Sequence, residues 1–311
     1  DNSISALGNE YLFASDRWLL NDPYDCHSNI IDWDGFDFEQ KVKLSEVYRK
    51  FIKENANGNS ELLEIIDRPF KDFSKELKEL VVTNYYPQII KVFGSEFYKN
   101  YGIISLTTNN NSLLMWAHYS NNEGFLLEYD YSKFSFPNSK PFPVNYLNEN
   151  SLPQFKGESF SFLMFLFQCL QKSRIWAYEN EWRIIPRKDE NMKLSISGEN
   201  LDSRKFSVSG AIKSITLGSR FFDVNNIKVI RKEKGIYWSL NETCEKRLRV
   251  LNKIVKSNLK TYWVVDPDNF SLYYKYHPEK NSYHLHLVGL SINKVSNEEN
   301  VFEINHLLKP E

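Results

Sequence analysis

With 311 residues, the chain is long enough to bury a substantial core without disulfides or a metal to hold it together. Hydrophobic residues make up 41% and charged residues 25%, which is close to a globular average and argues against disorder over most of the chain. The formal net charge of −1 argues against a partner bound by bulk electrostatics, such as duplex DNA or an anionic membrane.

The cysteines and the apolar runs indicate the compartment. Cys26, Cys169 and Cys244 lie far apart and form no Cys-x-x-Cys pair, which is typical of a reducing environment. The longest apolar run, 160–170, is too short to cross a bilayer, and no signal peptide opens the chain. We therefore expect a cytoplasmic protein without a membrane partner.

The first hundred residues predict one strand followed by helices. The strand is predicted over 11–15, and the Asn-Asp-Pro segment over 21–23 predicts a turn, because Asn and Asp bond their own backbone and Pro fixes φ. Apolar residues then recur at three and four positions over 38–55 and 72–98. We interpret these ranges as two amphipathic helices of an insertion that spans about 37–100.

Most of the remaining chain predicts strands. A helix over 159–174 is so apolar that we expect it to be buried nearly all round, and two more helices are predicted over 227–237 and 242–257. The pattern favours an α+β fold with one domain over 1–220, and with a helical linker and a β-rich C-terminal extension over 221–311 packed on the same core. The predicted strands are 101–107, 124–131, 141–146, 181–186, 192–197, 211–218, 261–266, 271–277 and 282–292.

Two glutamates in the segment Tyr-Glu-Asn-Glu-Trp-Arg are the first candidate site. On a strand, a period of two places Glu179 and Glu181 on the same face. A carboxylate pair can hold sugar hydroxyls and stabilise an oxocarbenium-like centre, as glycosyl transfer requires. The alternative is an exposed strand end whose glutamates pair with Arg183 or Lys188, since surface ion pairs are common.

A strand end and a short helix form the second candidate site. Ser105 and Thr107 end a predicted strand ahead of the helix predicted over 112–120, which carries His118 and Tyr119. Hydroxyls at a strand end can orient a neighbouring carboxylate, although turn and cap chemistry explains them as well. His118 is either a site residue or a structural histidine. No second His lies at metal-ligand spacing, so no metal site is expected.

Three motifs in this order resemble a widespread bacterial family of unknown function. They are Asn-Asp-Pro-Tyr-Asp from Asn21, Met-Trp-Ala-His-Tyr from Met115 and Tyr-Glu-Asn-Glu-Trp-Arg from Tyr178. The resemblance covers about 11–218. Members of that family usually start with an extra strand, which has no match before Tyr11.

The order of elements in that family is similar to the ADP-ribosyltransferase fold, a split, mostly antiparallel β-sheet that grips NAD in a cleft. By that resemblance Glu181 would hold the nicotinamide ribose and stabilise the oxocarbenium ion, Glu179 would act on the acceptor, and Thr107 would support Glu181. NAD would be a substrate. For Lys172 and Arg183, phosphate contact and ion pairing with the glutamates stay open. Contacts to NAD are implied for His118, Tyr119, Ser105, Trp116, Arg183, Lys172, Asn21 and Asp22.

Three hypotheses about function follow. The first is an NAD-dependent ADP-ribosyltransferase-like protein that modifies a macromolecular target, protein or nucleic acid, as a toxin or antiviral defence effector does. The second is a non-catalytic module that senses a nucleotide or phage component with the same cleft. The third is a metal-dependent nuclease in which Asp22, Asp25 and Glu128 gather a Mg²⁺ ion, because hard cations favour carboxylates.

Overall fold

The computed structural model describes a mixed α/β protein with few helices and mostly antiparallel sheets. The helix predicted over 38–55 and the strands predicted over 192–197 and 271–277 lie outside the described residues, as does the helix predicted over 72–98 apart from residue 75. The described ranges are 2–22, 25–26, 75, 100–148, 162–188, 204–222, 227–232, 235–240, 244–264, 287–295 and 301–307.

Four α-helices lie in the described part of the chain, namely α1 (Asn2–Asn9), α2 (Leu113–Ser120), α3 (Phe162–Cys169) and α4 (Glu245–Ser257). The helix predicted over 112–120 is confirmed as α2. It begins because the Ser112 hydroxyl accepts a 3.3 Å hydrogen bond from the Met115 backbone N–H. It ends at Asn121, which adopts the left-handed conformation common after helices.

The described strands are numbered in chain order and form four sheets. They are β1 (Tyr11–Phe13), β2 (Ile104–Thr107), β3 (Phe125–Tyr129), β4 (Phe142–Pro143), β5 (Asn145–Leu147), β6 (Gln171–Ser173), β7 (Glu181–Ile184), β8 (Lys205–Ser207), β9 (Ile212–Leu217), β10 (Ile227–Lys232), β11 (Gly235–Leu240), β12 (Lys260–Val264), β13 (Leu287–Lys294) and β14 (Val301–Leu307).

The largest sheet has seven strands in the order β10-β11-β14-β13-β12-β9-β3, and within it only β9 and β12 pair in parallel. One core cluster joins this sheet to α4 through the buried Val250, Leu251 and Ile254. Burying each such side chain contributes about 1.5–3 kcal/mol. Leu7 of α1 and Phe302 of β14 belong to the same cluster, so its members come from both ends of the described chain.

The smaller sheets position the candidate site. Strand β7 lies between β2 and β4, antiparallel to both, and its register pairs Thr107 with Glu181 and Ser105 with Arg183. Strand β6 pairs in parallel with β5 and carries Lys172. Strands β1 and β8 form a separate antiparallel pair. The candidate residues therefore meet around β7.

The helix predicted over 227–237 is wrong, because β10 and β11 form an antiparallel pair there. Val229 lies opposite Trp238 and Ile227 lies opposite Leu240. β-Branched and aromatic residues favour strands, and the backbone pairing of the two segments outweighs the apparent helical periodicity. Helix α1 and strand β14 were not predicted from the sequence.

The helix predicted over 159–174 ends earlier and is less buried than expected. Helix α3 ends at Cys169, and the chain then enters β6 because 171–173 pair with β5. Leu163 is 69% exposed, so α3 is not buried all round. Within the described residues, no helix combines the length and the hydropathy that a membrane crossing needs.

Candidate functional site

The two candidate glutamates lie on either side of a sharp reversal of the chain. Residues Arg174–Glu179 form a 3₁₀ helix rather than part of a strand, Asn180 follows in the left-handed conformation with φ 44° and ψ 53°, and β7 begins at Glu181. Asn tolerates that conformation better than most residues. The predicted alternation along a strand is therefore wrong for Glu179, yet both carboxylates still reach the same partner, Lys172.

Five buried side chains form a charge cluster consisting of Asp25, Lys172, Glu179, Glu181 and Arg183, each no more than 5% exposed. The Lys172 Nζ lies 2.6 Å from Glu179 Oε2, 3.0 Å from Glu181 Oε2 and 3.8 Å from Asp25 Oδ2. Three carboxylates and two cations leave one formal negative charge in excess. Such a cluster stabilises a positive charge placed beside it more than a negative one.

Arg183 uses all five of its N–H donors. Its guanidinium binds Glu181 through Nε at 2.8 Å and Nη2 at 3.0 Å, and Asp25 through Nη1 at 2.7 Å and Nη2 at 2.5 Å. The remaining donor of Nη1 reaches the Cys169 carbonyl at 2.6 Å. Arg183 thus joins the turn at Asp25, the end of α3 and the start of β7.

Burial opposes ionisation of the side chains in the cluster, but neighbouring opposite charges stabilise their ionised forms. Desolvation opposes ionisation of Glu181, but the hydrogen bond and charge of Arg183, with Lys172, outweigh it and lower the pKa of Glu181. Burial likewise disfavours the charged form of Lys172, and the two glutamates overcome this and raise its pKa. Desolvation acts in the same direction on Arg183, whose pKa is nevertheless raised by Asp25 and the neighbouring groups. Glu181, Lys172 and Arg183 are therefore charged at neutral pH.

Glu181 is surrounded by donors. Its carboxylate accepts two hydrogen bonds from Arg183 and one from Lys172, and the Ser105 hydroxyl acts with them to lower its pKa. Its backbone N–H donates to the Tyr146 hydroxyl at 2.7 Å. Both carboxylate oxygens of Glu181 are thus held by protein donors.

Thr107 supports the other glutamate. Its hydroxyl donates to the Glu179 backbone carbonyl at 2.5 Å and accepts from the Asn109 backbone N–H at 2.8 Å. Thr107 was expected beside the Glu181 carboxylate, whereas Ser105 fills that place. The difference follows from the register, in which Thr107 lies opposite Glu181 in β7 and its hydroxyl meets the residue before the turn.

Two amide side chains fasten the same turn to the end of β2. Asn109 Nδ2 donates to the Tyr178 carbonyl at 3.0 Å, and Asn180 Nδ2 donates to the Thr108 hydroxyl at 2.5 Å. The turn between the glutamates is thus held by side chains as well as by the sheet. Asn109 and Tyr146 are contributors that the sequence reasoning missed. Asn109 follows Thr107 by two residues, whereas Tyr146 lies far in the sequence from each predicted motif.

Glu179 is the glutamate that connects the charge cluster to the surface. Its Oε1 accepts the hydroxyl of Tyr119, and that hydroxyl accepts a 2.8 Å hydrogen bond from Asn21 Nδ2. Tyr119 is 53% exposed and Asn21 is exposed. Burial of the hydroxyl and its bond to Glu179 raise the pKa of Tyr119, so the phenol remains a donor at neutral pH. The structure therefore brings Asn21, Tyr119 and Glu179 together.

An aromatic wall of His118, Trp176 and Tyr178 flanks this surface. The ring centroids of His118 and Trp176 are 5.5 Å apart and nearly perpendicular, and those of Trp176 and Tyr178 are 6.0 Å apart. The Lys172 ammonium lies 5.0 Å from the centre of the Trp176 ring, within cation–π range. Trp116 is buried beneath α2, away from the exposed face that His118 and Tyr119 share.

The three acidic residues of the nuclease hypothesis have separate roles. Asp25 belongs to the charge cluster, while the backbone carbonyl of the buried Asp22 accepts from the Asp25 N–H at 3.0 Å. Glu128 lies on the seven-stranded sheet and accepts from the Ser214 hydroxyl at 2.7 Å. In the part of the chain that the structure describes, no His, Cys, Asp and Glu side chains are grouped so that they could hold a metal ion.

Comparison with known proteins identifies the same region. A family model described as "Protein of unknown function (DUF2971)" matches residues 115–184, from within α2 to the end of β7. The matched segment contains Tyr119, Lys172, Glu179, Glu181 and Arg183, but neither Asn21 nor Asp25. No curated protein and no solved structure matches the chain. The part of the chain that is similar to this family is thus the segment that carries four of the five residues of the charge cluster.

Proposed function

We propose that this protein is an NAD-using ADP-ribosyltransferase-like enzyme that modifies a macromolecular target, with Glu179 as the carboxylate that meets the substrate. The observation that carries the proposal is the position of Glu179, between the buried Lys172 and the half-exposed Tyr119. Departure of nicotinamide leaves a cationic ribosyl centre, which a carboxylate stabilises electrostatically. The excess negative charge of the cluster acts in the same direction.

In this proposal Glu181 is a positioning residue. Its carboxylate is occupied by Ser105, Lys172 and Arg183, so it acts by fixing the ammonium that holds Glu179. This differs from the role that the family resemblance implies, in which Glu181 meets the ribose. The aromatic wall beside Glu179 offers flat surfaces on which a planar base can stack.

The test is the release of nicotinamide from NAD, followed by chromatography with the purified chain. Glu179→Gln keeps the size of the side chain but removes its charge, and we expect release to fall at least about a hundredfold, since an electrostatic stabiliser of a transition state contributes that much. Glu245→Gln is the matched control, because Glu245 is an exposed helix residue whose ion pair among the described residues is with Arg249. Unchanged release in Glu179→Gln, at an unchanged melting temperature, would overturn the role of Glu179.

The sensing module is the second candidate, and the occupancy of Glu181 favours it. A site in which the buried Glu181 carboxylate is already held by Arg183 and Lys172 is suited to holding a fixed shape. In that case NAD or a related nucleotide raises the melting temperature saturably, by mass action on the folded state. A saturable shift without nicotinamide release would select the sensing module, and release together with the shift would select the enzyme.

A further inference from the structure

We infer that Asn21 and Asp25, in the described parts of the turn (21–22 and 25–26), are positioning residues for the two glutamates. Asn21 acts on Glu179 through Tyr119, and Asp25 acts on Glu181 through Arg183. No motif or family match assigns this role to the turn. Its use in catalysis rests on the proposed function, but the contacts themselves do not. The first route runs from Asn21 to Glu179, and the second runs from Asp25 to Glu181. The two glutamates flank Asn180 in the sequence.

The first route is a chain of hydrogen bonds with a defined direction. Asn21 Nδ2 can only donate, so the Tyr119 hydroxyl accepts from it and uses its single proton for Glu179 Oε1. With this oxygen held, the second oxygen of Glu179 lies 2.6 Å from Lys172 Nζ. The amide at position 21 therefore decides toward which group the Tyr119 proton points.

The second route is ionic and fully buried. Asp25 binds both terminal nitrogens of Arg183, whose Nε and Nη2 hold the two oxygens of Glu181. A planar guanidinium between two carboxylates fixes their distance and their relative tilt. Because the backbone N–H of Asp25 donates to the Asp22 carbonyl, the turn itself is braced at this point.

The experiment exploits the direction of the first route. Asn21→Asp has the same shape, but its carboxylate accepts where the amide donated and so competes with Glu179 for the Tyr119 proton. Asn21→Ala only removes the donor. Tyr119→Phe removes the hydroxyl and keeps the ring. The matched control is Asn293→Ala, since Asn293 is an exposed strand residue whose amide donates, within the described part of the chain, to Ser291.

The kinetic readout is kcat and KM for nicotinamide release. A lost neutral hydrogen bond corresponds to a factor of about 3–10 and a redirected charge-assisted one to about 10–100. We therefore expect kcat to fall about 3–10-fold in Asn21→Ala and about 10–100-fold in Asn21→Asp, with KM within about twofold. In the Tyr119→Phe background, Asn21→Asp has no further effect. Equal losses in the two Asn21 variants, or additive losses with Tyr119→Phe, would overturn the inference.

A second readout works without any turnover. Tyrosine labelled with ¹³C at Cζ reports the hydrogen bonding of each phenol, and the Tyr119 signal is identified by its absence in Tyr119→Phe. We expect this signal to move in both Asn21→Asp and Glu179→Gln and to stay in place in Asn293→Ala. A Tyr119 chemical shift that is the same in Asn21→Asp as in the wild type would refute the inference. Absence of nicotinamide release from the wild type would refute only the proposed enzyme.

Discussion

Removing Arg183 tests the charge cluster most directly. Arg183→Met keeps most of the side-chain volume but removes a guanidinium that makes five hydrogen bonds of 2.5–3.0 Å while 0% exposed. The carboxylates of Asp25 and Glu181 then remain buried, with Lys172 as the one cation of the cluster. Breaking a buried pair in this way costs about 3–5 kcal/mol. We expect the free energy of unfolding to fall by about that amount.

The assay is urea unfolding followed by tryptophan fluorescence, with the free energy extrapolated to water. Arg249→Met is the control, because the exposed Arg249 pairs with Glu245 one helical turn away, and such pairs contribute about 0.3–0.5 kcal/mol. The triple variant Asp25→Asn, Glu181→Gln, Arg183→Met removes all three charges and should recover much of the loss. A cost for Arg183→Met alone no greater than the control's would refute the reasoning.

Three further predictions follow from the geometry. The lowered pKa of Glu181 means that its contribution to stability is present above its ordinary value of 4.5 and is lost as pH falls through its folded value, so the unfolding free energy should drop in acid less steeply in Glu181→Gln. Thr107→Val leaves the buried Glu179 carbonyl without its donor and should cost about 1–3 kcal/mol in the same urea assay, with a loss of nicotinamide release. Gly218→Ala places a Cβ 2.3 Å from the Asn122 carbonyl oxygen, and we expect a cost of about 1–3 kcal/mol, visible as a lower melting temperature.

Local patterns predicted the elements that carry the site. The helix predicted over 112–120 is observed as α2, and the β-rich segment predicted over 101–107 contains β2. The sequence also predicted that Glu179 and Glu181 lie close together. A 3₁₀ helix followed by the left-handed Asn180 brings them together, rather than the predicted strand. These features depend on residues within a few positions of one another, where propensity and capping are informative.

The partner of Arg183 was not predictable in this way. Asp25 lies 158 positions earlier in the chain, and only the tertiary arrangement of the turn, α3 and β7 brings the two together. The same holds for the bond from Asn21 to Tyr119, which spans 98 positions. A single sequence contains the residue types of such contacts but no distance between them. The error at 227–237 has a similar origin, because β10 is stabilised by its pairing with β11.

The seven-stranded sheet has a practical consequence for anyone expressing part of this protein. Strand β9 lies inside the sheet, between β3 and β12, and Ile215 and Leu217 on it are fully buried. A fragment ending near residue 220 would lose β12 and leave the hydrogen-bonding edge of β9 open, next to an apolar surface stripped of α4. Open edges of this kind recruit other chains. Such a truncation should therefore yield aggregates, even though every residue of the charge cluster is retained.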